Sequence, residues 1–174
     1  MKYDLQQSIE ILNKTPGILR QLLQGLQPDW LLSNEGPDSF SPFDVMGHLL
    51  HGEKTDWPVR IKLILEHGNK QAFEMYDRFA MYEESKGKTI NQLLEEFETI
   101  RKQNIAWLQS LSLTATDLHK TGLHQVLGEV TLENLLATWV VHDLSHIAQV
   151  CRVMAKQYKE VIGPWTEFFR ILQF

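Results

Sequence analysis

Apolar side chains recur at steps of three or four residues through four long segments of this chain, and this spacing constrains the fold more than any other feature. The segments are residues 4–24, 42–68, 90–111 and 132–160. Because an α-helix has about 3.6 residues per turn, each segment presents its apolar side chains on one face, which must be buried against another element. No alternation of apolar and polar residues indicates a strand of any length. We therefore predict an all-α fold, namely a four-helix bundle.

Residues typical of helix ends delimit these segments. The predicted N-terminal caps are Ser41, Thr89 (with Gln92 completing a capping box) and Thr131, and the predicted stops are Gly25 and Gly68. Pro16 should kink or split the first helix and Pro58 should bend the second, because proline removes a backbone donor. Residues 69–88 have no clean period and are predicted to form a long connection, with at most a short helix, while residues 112–130 carry turn sequences.

Length and composition describe an ordinary globular chain. Its 174 residues suit one domain, so we predict a single domain over residues 1–174. Hydrophobic residues make up 43% and charged residues 22%, as is typical of folded proteins. The net charge is −5 and the basic residues are scattered, which makes nucleic acid a poor partner. No run of about eighteen apolar residues occurs, so no membrane association is expected.

The two ends of the chain and its single cysteine bear on location and assembly. The N-terminal sequence MKYDLQQSIE lacks the basic and apolar regions of a signal peptide. Cys151 cannot form an internal disulfide, which agrees with a reducing compartment. These features predict a cytoplasmic protein. The tail GPWTEFFRILQF is apolar and aromatic, so it should pack against the bundle or against a second copy, and we expect a homodimer.

His142 and His146 lie four residues apart on the apolar side of the fourth predicted helix. Side chains at this spacing stack with Cβ atoms roughly 5–6 Å apart, so two ring nitrogens can converge on one ion. The alternative is a pair of partly buried, hydrogen-bonded rings.

Asp143 projects onto the middle of the same apolar stripe, where an unpaired carboxylate would be costly. It is either an acid that faces the substrate or supports a ligand, or a carboxylate tied to a buried donor such as an indole N–H.

A third ligand must come from another helix, and the sequence GHLLHGE in the second segment offers His48, His51 and Glu53. His48 projects nearer to the apolar positions than His51 does, which favours it weakly. Glu53 also projects onto the apolar face. It is a fourth ligand, a general base, or a buried acid held by a bundle partner. The remaining histidines fit structural or loop roles, and they are His67, His119 and His124.

Two motifs together, GHLLHGE in the second helix and LGEVTLENLLATWVVHDLSHIAQV in the fourth, resemble the DinB/YfiT-like superfamily of bacterial proteins. The similarity covers nearly the whole chain and implies a helical bundle whose metal is held by His48, His142 and His146. Many members have glycine before the glutamine that follows the second histidine, whereas this chain has Ala148 before Gln149. That change does not touch the ligands. Members include metal-dependent transferases that attach a low-molecular-weight thiol to electrophiles, a thiol-dependent isomerase, and many with no known reaction.

Three imidazoles around a divalent ion leave coordination positions open, as in catalytic rather than structural sites. Water that enters such a position has its pKa lowered and can hydrolyse a substrate, whereas a thiol becomes a thiolate nucleophile. The residues alone do not choose between these reactions. The resemblance favours transfer of a low-molecular-weight thiol to a small electrophilic substrate. The alternatives are a metal-dependent hydrolase, a non-catalytic metal-binding or sensor protein, and a structural helical module.

Zinc and nickel both suit imidazole ligands, so the expected cofactor is a divalent Zn or Ni ion. Imidazoles bind metal only when neutral, so metal should be released below roughly pH 6. Asp143 and Glu53 are the candidate catalytic residues. The open side of the site should face a pocket formed by the second helix and the 69–88 connection, with the candidate lining residues Trp57, Tyr76 and Phe79.

Overall fold

The structure, a computed structural model, describes residues 2–173 and contains the long helices that the sequence predicts. The helices are α1 (Leu5–Leu23), α2 (Pro28–Leu32), α3 (Pro42–Thr55), α4 (Trp57–His67), α5 (Ala80–Ser85), α6 (Ile90–Ser110), α7 (Ala115–Leu118) and α8 (Leu132–Lys156). The long elements α1, α3 with α4, α6 and α8 pack against one another, which confirms the four-helix bundle. Among the helices of residues 2–173, none has the length and apolar character required to cross a membrane.

Side-chain caps and glycines fix the ends of these helices. Ser41, Thr89 and Thr131 each accept the third helical N–H and form a capping box, so all three predicted caps are confirmed. Gly25 and Gly68 follow the ends of α1 and α4 with φ of 81° and 60°. A residue with a Cβ atom is strained at such positive φ values, so glycine suits both stops.

The second predicted helix is broken rather than bent. α3 ends at Thr55, α4 begins at Trp57, and Asp56 between them has φ −112° and ψ −75°. Pro58 lies in the first turn of α4, where its missing N–H costs no helical hydrogen bond. The irregularity predicted near Pro58 is therefore a helix boundary two residues earlier.

Pro16 does not split the first helix, because α1 runs unbroken from Leu5 to Leu23. Proline lacks the N–H that would bond the Leu12 carbonyl four residues earlier. Arg101 on α6 supplies a donor instead, since its Nη1 lies 2.8 Å from the Leu12 oxygen. A side chain from another helix thus satisfies the carbonyl that Pro16 leaves free.

A β-hairpin between α7 and α8 corrects the prediction that the chain has no strand. Strands β1 (Thr121–His124) and β2 (Gly128–Thr131) pair antiparallel. Each has only four residues, too few for a period of two to stand out from the turn sequence around it. In the turn, the backbone N–H groups of Val126 and Leu127 donate to Nδ1 of His124, and Gly128 adopts φ 77°.

The core consists of two groups of buried apolar side chains between the long helices. One group includes Trp57 and Trp139, and the other includes Leu49 and Phe97. Each large apolar side chain that is fully buried contributes about 1.5–3 kcal/mol to folding. The packed core holds α3 and α8 side by side, which matters for the histidines that they carry.

The C-terminal tail contacts the bundle through the turn that contains Leu172. Leu172, which is 6% exposed, lies in a short helical turn that packs against α8. Trp165 and Phe168 stay exposed. Phe174, the last residue of the predicted apolar tail, lies outside the described residues. Packing of the tail against a second copy stays a prediction.

Candidate metal centre

Three histidine rings from two helices meet at one point between α3 and α8. Nε2 of His142 lies 3.0 Å from Nε2 of His48 and 3.2 Å from Nε2 of His146. The nitrogen atoms that the three rings offer all lie within 4.8 Å of one another, a grouping that can hold a metal ion. The structure therefore brings together the three histidines singled out from the sequence.

Helix geometry explains this convergence. His142 and His146 lie one turn apart on α8, with ring centroids 4.4 Å apart. His48 comes from α3, and its ring centroid lies 5.1 Å from that of His142 and 4.7 Å from that of His146. A site shared by two helices exists only in the folded bundle, so a ligand bound there stabilises the fold.

Hydrogen bonds on the far side of two rings determine which nitrogen faces the cluster. Nδ1 of His146 donates to Oε1 of Gln149 at 2.8 Å, so its Nε2 carries a lone pair. Nδ1 of His48 lies 3.3 Å from the hydroxyl of Tyr76, which itself donates to the His48 carbonyl at 3.4 Å. Nδ1 of His48 therefore has a partner in Tyr76, and its Nε2 faces the cluster.

Burial keeps the three rings uncharged at neutral pH. It is the main cause that lowers the pKa of His48 to about 3 and the pKa of His142 to about 2. Burial also lowers the pKa of His146, against the opposing effects of Gln149 and Asp143. Metal ions bind neutral imidazole, so no proton has to be displaced from these rings at pH 7.

The donor set fits a divalent cation. Nδ1 of His142 is buried and has no hydrogen-bond partner within residues 2–173. Either tautomer of this neutral ring leaves Nδ1 buried and unpaired, as a donor or as an acceptor. Where neutral rings turn unprotonated Nε2 atoms toward one another, their lone pairs repel. A cation bound by the three Nε2 lone pairs removes their mutual repulsion.

A buried ion network adjoins the histidine cluster. Arg101 donates to both oxygens of Asp143, at 2.6 and 3.0 Å, and to Oε1 of Glu53 at 2.8 Å. Glu53 also accepts from the indole of Trp139 at 3.0 Å and from the amide of Asn104 at 2.9 Å. The charged side chains are at most 1% exposed. The network joins α3, α6 and α8, and so fixes the helices that carry the three histidines.

The sequence analysis left a structural role open for each acid, and these contacts match both roles. Glu53 is an acid held by a bundle partner, and Asp143 is a carboxylate tied to a buried donor. A catalytic part for either acid stays a prediction. The sequence analysis missed Arg101, although this residue follows Phe97 by four positions on the apolar stripe of α6. Because two acids that project into a core require a cationic partner, a basic residue on an apolar stripe could have been identified from the sequence as that partner.

The formal charges of the network favour a cation nearby. Two carboxylates, Glu53 and Asp143, surround one guanidinium, so the buried charges sum to −1. Buried excess charge is costly unless a counterion lies close to it. Asp143 follows His142 directly in the chain, so a cation held by the three rings would lie on the same turn of α8 as this carboxylate and would partly offset its charge.

The other histidines lie outside the cluster. His51 turns to another partner, with its Nδ1 2.8 Å from Oε1 of Glu84. His67 ends α4, His119 follows α7, and His124 accepts in the hairpin turn. None of these four rings belongs to the group of converging ligand atoms found among the described residues.

Two of the three aromatic residues proposed from the sequence touch the cluster. The Trp57 ring packs edge-on against His142 with centroids 5.1 Å apart, and the Tyr76 ring packs edge-on against His48 at 5.6 Å. Phe79 is instead exposed and stacks on Tyr82. Trp57 and Tyr76 therefore form part of the immediate surroundings of the rings.

A cavity of about 380 Å³ opens onto the cluster at His48 and His146. Its other lining residues are Glu35, Asp38, Ser39, Phe40, Arg78, Gln149 and Arg152. The second predicted helix and the 69–88 connection contribute one residue each, as expected. The loop before α3 and the second half of α8 provide the rest, and the three predicted aromatic residues are not in this wall. A loop without periodicity offers no sequence signal for such a role.

A four-helix bundle with three converging histidines between two of its helices defines a class of candidate metalloproteins. A family model described as the DinB superfamily matches residues 11–150. Because the match spans most of the chain, the chain belongs to the DinB superfamily, and the resemblance noted from its two motifs is confirmed.

The chain is also similar to a solved structure, YfiT from Bacillus subtilis, which is described as a probable metal-dependent hydrolase with an unusual four-helix bundle topology. The TM-score is 0.74, the sequence identity is 23%, and the match covers 94% of this chain and 90% of that chain. At this identity the likeness shows a shared fold alone. A comparison with curated proteins gave no match.

Proposed function

We propose that this protein is a metal-dependent enzyme that activates a small nucleophile at the cluster of His48, His142 and His146. The observation that carries the proposal is the convergence of uncharged ring nitrogens within 4.8 Å at the edge of an open cavity. Structural metal sites instead have four protein ligands and no open position. A divalent Zn or Ni ion bound here supplies a Lewis acid that lowers the pKa of a thiol or of water.

Transfer of a low-molecular-weight thiol to a small electrophile is the reaction we propose. The thiol loses its proton to solvent, its sulfur bonds to an electrophilic carbon, and that carbon releases a leaving group with the bonding electron pair. Arg78 on the cavity wall places positive charge near the cluster, and such surroundings favour a thiolate over a thiol. A cavity of about 380 Å³ is of the size that accepts small molecules.

Hydrolysis is the second candidate reaction, and one observation favours it. YfiT, which shares the fold, is described as a probable metal-dependent hydrolase. In this case water takes the place of the thiol, and the substrate is an ester or an amide. The same three rings and the same cavity would serve both reactions.

The buried acids suit a positioning role better than contact with substrate. Glu53 and Asp143 are both held by Arg101, and neither lines the cavity beside the cluster. Gln149 has a similar role, since its oxygen fixes the proton of His146 on Nδ1 and leaves Nε2 free. Tyr76 contacts Nδ1 of His48 and so orients that ring.

The proposal can be tested with zinc-loaded protein, cysteine as the thiol, and monochlorobimane as an electrophile that releases chloride. We expect conjugation to be faster with the loaded protein than with the metal-free form. Replacing His146 by Ala removes one ligand, so metal and rate should be lost together. His51→Ala is the matched control, because its ring contacts Glu84 instead, and it should retain both.

Parallel assays with 4-nitrophenyl acetate distinguish the two reactions. Metal-dependent ester hydrolysis without thiol conjugation would replace thiol transfer by hydrolysis. No rate in either assay, with zinc bound at the site, would contradict an enzyme and favour a metal-binding or sensor protein. Conjugation that survives His146→Ala would contradict the assigned site.

A further inference from the structure

Arg78 is an exposed cation on the wall of the cavity that opens onto the histidine cluster. Its guanidinium makes no ion pair with any residue between positions 2 and 173. It lines the same cavity as His48 and His146. Arg78 therefore places a positive charge in the wall of the cavity onto which two of the rings open.

Of the other charges in the same wall, Glu35 and Arg152 are paired with each other, whereas Asp38 forms no ion pair among residues 2–173. Both carboxylate oxygens of Glu35 accept from Arg152, and Lys156 lies 2.8 Å from Glu35 Oε2. Hydrogen bonds from Arg152 are the main cause that lowers the pKa of Glu35 to about 2. The guanidinium of Arg152 is thus engaged by protein, whereas that of Arg78 is available to a ligand.

Local structure holds Arg78 in this place although it lies in the connection before α5. Its guanidinium carbon lies 4.6 Å from the centroid of the Phe79 ring, a cation–π contact. The Asp77 side chain accepts from the backbone N–H groups of Phe79 and Ala80, at 2.9 and 3.2 Å, which fixes the turn. Tyr76, two residues earlier, contacts His48 at 3.3 Å. The connection is therefore anchored on both sides of Arg78.

We propose that the substrate of this site carries a carboxylate, which Arg78 binds at the wall of the cavity while the reacting group lies at the three histidines. This inference rests on the proposed function and adds the class of substrate to it. A guanidinium matches a carboxylate with two parallel N–H···O hydrogen bonds, which gives orientation as well as affinity. A substrate held at one end by Arg78 is thereby oriented with its other end toward the cluster.

The charge balance favours a single carboxylate over a phosphate dianion. Arg78 is one unpaired positive charge, and Asp38 is an acid on the same wall that repels a second negative charge. Phe40 in the same wall offers an apolar surface beside His48, with ring centroids 5.6 Å apart. The chemistry that fits is a small monoanion with an apolar or aromatic body.

The test uses two probes of nearly the same shape, the anion phenylacetate and the neutral amide phenylacetamide. Binding of each to zinc-loaded protein is measured by calorimetry at low ionic strength, with the metal content determined on the same sample. We expect phenylacetate to bind about tenfold more tightly than the amide. Arg78→Gln should remove this preference and leave the affinity for phenylacetamide unchanged, while Arg78→Lys should restore part of it.

Two control variants make the outcome specific to the cavity. Arg170→Gln makes the same change at an exposed arginine in the tail and should leave both affinities unchanged. Asp38→Asn removes the repelling charge and should tighten phenylacetate alone. Asn tolerates the φ of 60° at this position, so the variant should fold normally.

Three results would overturn the inference. They are equal affinity for the two probes, equal loss of phenylacetate affinity in Arg78→Gln and Arg170→Gln, and no phenylacetate binding at millimolar concentration. Failure of the proposed function gives a different result. The protein sample used for the affinity measurements would then contain no zinc or would show no turnover. A carboxylate preference that depends on Arg78 in a protein without turnover would support the inference and contradict the enzyme.

Discussion

The Nδ1 atoms of the three clustered rings point away from the cluster, and they differ in their hydrogen-bond partners. Gln149 holds the proton of His146 on Nδ1, and Nδ1 of His48 contacts the Tyr76 hydroxyl. Nδ1 of His142 has no hydrogen-bond partner among the described residues. Burial is the main cause that lowers the pKa of this ring to about 2. His142 is also the ring whose Nε2 faces both others.

The lowered pKa values predict how the stability of the metal-free protein depends on pH. Between about pH 6.5 and about pH 3, the His48 ring is protonated in the unfolded chain and neutral in the folded one. The unfolded state then binds more protons, so acid favours it. Each such ring lowers the free energy of unfolding by up to about 1.4 kcal/mol per pH unit. We expect urea denaturation to show this loss as the pH falls from about 7 to about 5.

A variant provides the control for this pH dependence. His48→Gln removes one titrating ring, so its free energy of unfolding should decrease less steeply over the same range, which lies above the range where most carboxylates protonate. A wild-type free energy of unfolding that is constant from about pH 7 to about pH 5 would contradict rings buried in the neutral form.

The metal itself should be released at a lower pH than the sequence suggests, because protons compete weakly for rings with lowered pKa values.

At the scale of elements, one side chain connects three separate features of the bundle. Arg101 from α6 reaches the Leu12 carbonyl that Pro16 leaves free in α1, the carboxylate of Glu53 in α3 and that of Asp143 in α8. Its pKa is raised, because the effects of the two carboxylates outweigh burial, which acts in the opposite direction and is the largest single effect. The guanidinium is therefore charged at every accessible pH, and it fixes the relative positions of four helices.

Removal of this side chain should be among the most destabilising single changes. Arg101→Met leaves two buried carboxylates and one backbone carbonyl without their donor, and we expect a loss of about 3–5 kcal/mol in the free energy of unfolding. Urea denaturation with a fixed protein concentration measures the change. Lys102→Met is the matched control, because Lys102 forms an exposed pair with Glu98 four residues earlier and should cost at most about 1 kcal/mol. Equal losses in the two variants would contradict the role assigned to the network.

The long helices could be predicted from sequence because each combines a sustained apolar period with a side-chain cap. Thr89 and Thr131 begin helices of 21 and 25 residues, long enough for the period to be unambiguous. The four-residue strands of the hairpin and the five residues of α2 contain too little repetition to be recognised. The carbonyl that Pro16 leaves free in α1 accepts from Arg101, a residue far away in the chain, and no local pattern reveals such a contact.

For the whole molecule, the chemistry of the site was more predictable than its surroundings. His142 and His146 are linked by helical spacing, and His48 by its apolar register and the family motif. The partners of the buried acids and the wall of the cavity depend on which elements face each other. Arg78 comes from a connection without periodicity, so its place beside the cluster follows only from the fold.

Assembly is a separate question at this scale. Several large apolar side chains near the C-terminus are exposed, and they include Val161, Trp165, Phe168 and Phe169. An exposed apolar surface of this kind is typical of a contact with another molecule. The homodimer expected from the sequence stays a prediction.

The metal content of purified, untagged protein tests the central claim most directly. Elemental analysis of the wild type should find about one divalent ion per chain, because three neutral imidazoles converge on one point. His142→Ala removes the ring that contacts both others and should abolish metal retention, whereas His119→Ala changes an exposed histidine outside the cluster and should retain it. Absence of bound metal from the wild type after incubation with zinc, or full retention in His142→Ala, would contradict the account.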